Sequence, residues 1–129
     1  MTIHILERDR SVRDAIAEVF ETEGIHVRTY EALEDLNLAG LNGVDLVLMN
    51  DRFKGVADER VIEFANRILA QTQLILITNS RNSVAGLFHA DAEGSVNYLR
   101  KPIKPHMLLD LVTSYLDDYE HSNRRVQRG

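Results

Sequence analysis

Apolar residues gather into five short runs, Ile3–Leu6, Ile25–Tyr30, Val44–Met49, Leu74–Ile77 and Val96–Leu99. Between them lie longer stretches in which apolar residues recur every three or four positions, the spacing of one helix face. Val12, Ala15, Ile16, Val19 and Phe20 mark a first helix, with Ser11 and Asp14 reading as a capping box and Gly24 as its stop. Glu31–Ala39 reads as a second and least regular helix. Val61, Ala65, Ile68 and Leu69 mark a third, and Val84, Leu87 and Phe88 a fourth, closed by Gly94. Leu108, Leu111, Val112, Tyr115 and Leu116 mark a fifth, with Pro105 near its start.

The third and fourth runs, "VDLVLM" and "LILI", are almost continuously apolar. Strands of that kind are covered by helices on both faces, which is the setting of a parallel sheet. Five strand–helix repeats in this length predict an α/β fold, a doubly wound (βα)5 sandwich. Ligands of such sheets bind beyond the carboxyl ends of the strands, where strand order reverses. The residues that matter are therefore those just after each run: Glu7, Arg8 and Asp9; Asn50 and Asp51; Thr78 and Asn79; Lys101 and Pro102.

A chain of 129 residues is expected to form one domain with a sizeable core. The sequence turns polar and basic after Tyr119, which places the domain at 1–121 and a tail or the start of a linker at 122–129. The absence of cysteine excludes disulfides and thiolate metal sites. No apolar run approaches the ~20 residues that span a bilayer, and "MTIHILERDR" turns charged too early for a signal peptide. A cytoplasmic location is the expectation. A net charge of −5 argues against nucleic-acid binding by the body of the domain, leaving "NRRVQRG" as the one basic cluster. The five histidines lack ligand spacing, and His4 and His26 read as solvated or packed imidazoles on strands near an edge. Neither GxGxxG nor a Walker loop is present to seat a nucleotide.

Four local patterns in this order, "ILERDRSVRDAI", "DLVLMN", "LILITNS" and "NYLRKP", resemble the receiver (CheY-like) domain of two-component response regulators over about residues 2–119. The resemblance implies a flavodoxin-like, five-stranded parallel sheet in the order 2-1-3-4-5. In that family an aspartate ending strand three takes a phosphoryl group from a histidine kinase, assisted by a magnesium ion held beside an acidic pair after strand one. The acceptor position falls here on Asn50, the acidic pair on Glu7 and Arg8, the hydroxyl residue on Thr78, the lysine on Lys101 and the switch aromatic on Tyr98. Lys101-Pro102 matches the family's cis peptide, with Pro102 as the cis-proline.

The strand-five half of the site matches the family; the nucleophile and metal half departs from it. An amide is a poor nucleophile and a poor ligand for a hard dication. With only Glu7 in place and Arg8 beside it, the expectation is no magnesium, no cofactor and no phosphotransfer at Asn50. Glu7 is expected to pair with Arg8 or Lys101 while Asn50 supplies neutral hydrogen bonds. The functional expectation is a degenerate receiver, a pseudo-receiver without enzymatic activity. It would work as a protein-interaction or dimerisation module, for instance the regulatory domain of a transcriptional or signalling regulator. The resemblance places its partner, output domain or second copy on the face of helix four, strand five and helix five. Any nucleic-acid contact would come through an attached domain, and no membrane is involved. The alternatives are a working acceptor that uses Asp51 or Asp9, and an anion-sensing variant built on Thr78, Lys101 and Arg8.

Overall fold

The computed structural model describes residues 1–78, 97–101 and 103–114. Five strands form one parallel sheet: β1 Thr2–Leu6, β2 His26–Tyr30, β3 Leu46–Asn50, β4 Gln73–Thr78 and β5 Asn97–Arg100. Their order is β2-β1-β3-β4-β5, as the sequence predicts, and each neighbouring pair is parallel. Three helices lie within the described residues: α1 Arg10–Thr22, α2 Asp58–Leu69 and α3 at 105–114.

Alternation along the strands divides the core into two layers. Ile3, Ile5, Leu46, Leu48, Ile75, Ile77 and Leu99 point to one face, where Ile16 and Phe20 of α1 and Leu108 and Val112 of α3 cover them. Leu6, Val47, Met49, Leu74 and Leu76 point to the other, against Val61, Ala65 and Ile68 of α2. Burial on both faces is why β3 and β4 are apolar at nearly every position. The register pairs Ile5 with Leu48 and Leu6 with Met49, so the next step brings Glu7 level with Asn50 on one face. That alignment of β1 and β3 positions the candidate site.

Two local expectations are corrected. The N-cap of α1 is Asp9, whose Oδ1 accepts the amides of Ser11 and Val12. Ser11 and Asp14 form no capping box; Asp14 instead sits 3.5 Å from the exposed Arg10 guanidinium. Where the pattern predicts a second helix over Glu31–Ala39, the chain forms two 3-10 turns, Leu33–Asp35 and, running one residue past that range, Leu38–Gly40. Asp35 accepts the Ala32 amide and Asn37 accepts the Ala39 amide, local bonds that compete with helix propagation. Leu33, Leu36 and Leu41 still enter the core from this irregular segment.

Gly24 and Gly55 have φ of +77° and +79°, conformations that glycine adopts without steric cost. Gly24 ends α1 as expected, and Gly55 shapes the turn after Lys54 between β3 and α2. The fourth helix and Gly94, Pro102, the end of the fifth helix and the 122–129 tail all lie outside the described residues.

Candidate functional site

Glu7, Asn50 and Lys101 follow or end three different strands and meet at the carboxyl rim of the sheet. Asn50 Nδ2 donates to Glu7 Oε2 at 2.8 Å, and Asn50 Oδ1 accepts the Arg52 amide at 3.0 Å. These two contacts fix the amide's orientation, because the flipped form would set its oxygen against a carboxylate. Lys101 Nζ lies 3.4 Å from Glu7 Oε2 and 3.5 Å from Oε1. The Asp9 amide donates to Oε1 at 3.1 Å. Both oxygens of a carboxylate that is only 1% exposed are thus engaged by protein donors.

The loop that carries Glu7 is held from behind. Arg13 Nη1, on the first turn of α1, donates to the backbone carbonyls of Glu7 at 2.9 Å and Arg8 at 3.4 Å. Lys101 is fixed through its own backbone, its N–H donating to the Thr78 carbonyl at 2.7 Å.

The sequence offered Arg8 or Lys101 as the partner of Glu7, and the structure selects Lys101. Arg8 is exposed and lines the mouth of a cleft above the site together with Arg52, Lys54 and Glu31. Glu7 continues the alternation of Ile3 and Ile5 and so shares the face of Asn50, whereas Arg8 lies one residue further into the loop after β1. The same alternation separates Asn50, which lines the cleft, from Asp51, which is 1% exposed and does not. Asp9 lies at the cleft but its Oδ1 caps α1. Thr78 is buried at the end of β4, and Tyr98 on β5 is 45% exposed.

A second polar cluster lies on the α2 side of the sheet. His4 Nδ1 lies 2.9 Å from the Tyr30 hydroxyl, and Nε2 lies 3.1 Å from Asp45 Oδ2. Asp45 Oδ1 accepts the Thr2 amide, and the Asp45 carbonyl accepts the Thr72 hydroxyl. The His4 and Tyr30 rings stack at 5.8 Å. Burial pushes the Tyr30 hydroxyl above its ordinary pKa of 10.0, opposed by Arg28 through its charge and a hydrogen bond. Of the solvated and packed alternatives, His4 takes the packed one, but on a strand inside the sheet and with two polar partners. β1 lies inside the sheet, flanked by β2 and β3. The clue in sequence was the polar residues at Asp45 and Tyr30, but only strand register brings them to His4.

No family model matches the sequence, and no curated protein matches it. Solved structures do. A CheY-like response regulator receiver domain protein from Methanospirillum hungatei superposes with a TM-score of 0.74 at 22% identity, covering 94% of this chain and 97% of that one. A response regulator receiver domain protein from Clostridium thermocellum gives 0.74 at 17% identity, over 92% and 96% of the two chains. The BeF3-activated DrrB receiver domain gives 0.69 at 20% identity, over 90% and 97%. The chain has the receiver fold. On that fold, the cluster of Glu7, Asn50 and Lys101 occupies the crevice beyond the strand ends, beside the β1/β3 switch point. No helix among the described residues is long and apolar enough to cross a membrane.

Proposed function

We propose that this chain is a degenerate receiver, a signalling domain that engages a protein partner, an output domain or a second copy of itself without being phosphorylated. One observation carries the reading: the amide at the acceptor position is spent as a hydrogen-bond donor to Glu7. Phosphoacceptance needs a carboxylate nucleophile, and Asn50 supplies none. Magnesium needs free oxygen ligands, and the one carboxylate retained from the acidic pair already receives Asn50, Lys101 and the Asp9 amide. A dication would have to displace the half-buried Lys101 ammonium and approach Arg8 as well, so the residues present do not fit the ion.

The displaced-acceptor alternative finds little support. Asp51 is buried and does not line the cleft, and Asp9 caps α1. The partner surface proposed from the family's helix four, strand five and helix five includes the exposed Tyr98 and Met107. Its helix-four part lies outside the described residues. We place the domain in the cytoplasm and assign it no catalytic activity.

The test is incubation with acetyl phosphate and magnesium followed by intact-mass measurement. The mass stays unchanged on this reading. A stoichiometric gain of one phosphoryl group, mapped to an aspartate, rejects it.

A further inference from the structure

The cleft above Asn50 contains cations that the buried cluster does not use. It encloses about 500 Å³, and Arg8, Arg52 and Lys54 reach it from two loops. Three cations converge here in a chain whose net charge is −5. Glu7 is compensated by Lys101, Asp9 Oδ1 receives two helix amides, and Glu31 stands at the rim; in the adjoining cleft Glu34 pairs with Arg60 and Asp35 accepts the Ala32 amide. No ion pair among the described residues engages Arg8 or Lys54.

A second cleft of about 350 Å³ shares Arg8, Glu31 and Lys54 with the first and adds Leu33, Phe53 and Val56. The 3-10 turn at Leu33–Asp35 forms one of its walls. A cationic pocket thus continues into one with an apolar floor and an acidic rim, and each volume is near the range of small-molecule sites.

We propose that the two clefts together bind a phosphate-bearing small molecule non-covalently. The phosphate sits among Arg8, Arg52 and Lys54, where guanidinium groups match its geometry and an ammonium adds point charge. The organic part lies over Phe53 and Val56, and its hydroxyl or amino donors face Glu31. The ligand is an organic phosphate monoester, and its retention needs neither Lys101 nor metal. This inference rests on the proposed phosphorylation-independent reading, since a covalently modified acceptor would fill the same crevice.

Calorimetric titration of the full chain tests it, with adenosine monophosphate, adenosine and inorganic phosphate as probes and a chelator present throughout. Adenosine monophosphate is expected to bind, inorganic phosphate more weakly, and adenosine not at all. Arg8→Gln and Lys54→Gln, both at exposed positions, should each weaken the nucleotide roughly tenfold, the worth of one charge-assisted hydrogen bond. Arg10→Gln, outside the cleft, should leave binding unchanged. Absence of nucleotide binding overturns the proposal, as does equal affinity in the Arg8→Gln and Lys54→Gln chains. Phosphate binding as tightly as the nucleotide overturns the role of the second cleft. The chelator removes magnesium-dependent transfer from the measurement. A phosphoryl adduct seen separately would therefore reject the degenerate-receiver reading without altering this titration.

Discussion

The side-chain amide of Asn50 lies 2.8 Å from the carboxylate of Glu7, and the ammonium of Lys101 approaches the same carboxylate at 3.4 Å. Glu7 is buried, so the two donors hold an anion that water no longer solvates. Removing the anion leaves the Lys101 ammonium and the Asn50 amide without it. Glu7→Ala is expected to lower the unfolding free energy by about 3–5 kcal/mol, read from urea denaturation. Glu7→Gln should recover part of the loss by keeping one hydrogen bond. An unchanged midpoint in Glu7→Ala would refute the arrangement.

Asn50→Asp tests the electrostatics from the other side. The new carboxylate faces Glu7 and loses the donated bond, and the cost is expected to be about 1–3 kcal/mol without metal. Arg8 stays near the cleft as a positive charge, so this single substitution should bind magnesium weakly. Asn50→Asp with Arg8→Asp should bind it at least roughly tenfold more tightly, measured as thermal stabilisation against magnesium concentration. Equal affinity in the two variants would contradict the role given to Arg8.

The Tyr30–His4–Asp45 cluster predicts coupling between β1, β2 and the residue that precedes β3. His4→Ala and Asp45→Ala should each cost about 1–3 kcal/mol, because each leaves polar groups without their partner in a buried setting. The double substitution should cost less than the sum of the two single losses, since the second removes a bond already broken. Strict additivity in denaturation would show that the two residues act independently.

Tyr30 also gives a pH dependence. Its pKa is raised in the folded chain, so the folded state holds the phenolic proton more tightly than the unfolded state does. The resulting stability is complete below the unfolded value of about 10 and is lost as pH rises through the higher folded value. Denaturation midpoints should therefore fall in alkaline solution above that unfolded value. Tyr30→Phe should flatten the fall, although it also removes the bond to His4.

Gly55→Ala isolates a backbone effect. An added Cβ would meet nothing within 4 Å, but φ is +79°. The expected loss is about 1–2 kcal/mol, measured by thermal denaturation, with no change in the packed core.

The sheet was legible because β3 and β4 are apolar on both faces, a pattern that a solvated strand does not need. Their register was not written in any run, yet it decides that Glu7 meets Asn50 and that Asp51 turns away. Asn50 itself was readable as a departure from the resembled family, and Lys101 as one of two possible partners for Glu7. The segment after β2, read as the least regular helix, folds instead into 3-10 turns, although Leu33, Leu36 and Leu41 still reach the core. The competing bonds of Asp35 and Asn37 to nearby amides are local choices that spacing does not record. His4 was missed for a similar reason, since its partners are 26 and 41 residues away.

The Glu7–Asn50–Lys101 contact also bears on how far position 50 can change. Placing an acid there removes a tie between β1 and β3 before any metal can replace it. That single substitution would yield a weaker protein with no dication to compensate it. The clasp therefore makes this rim of the sheet resist stepwise change.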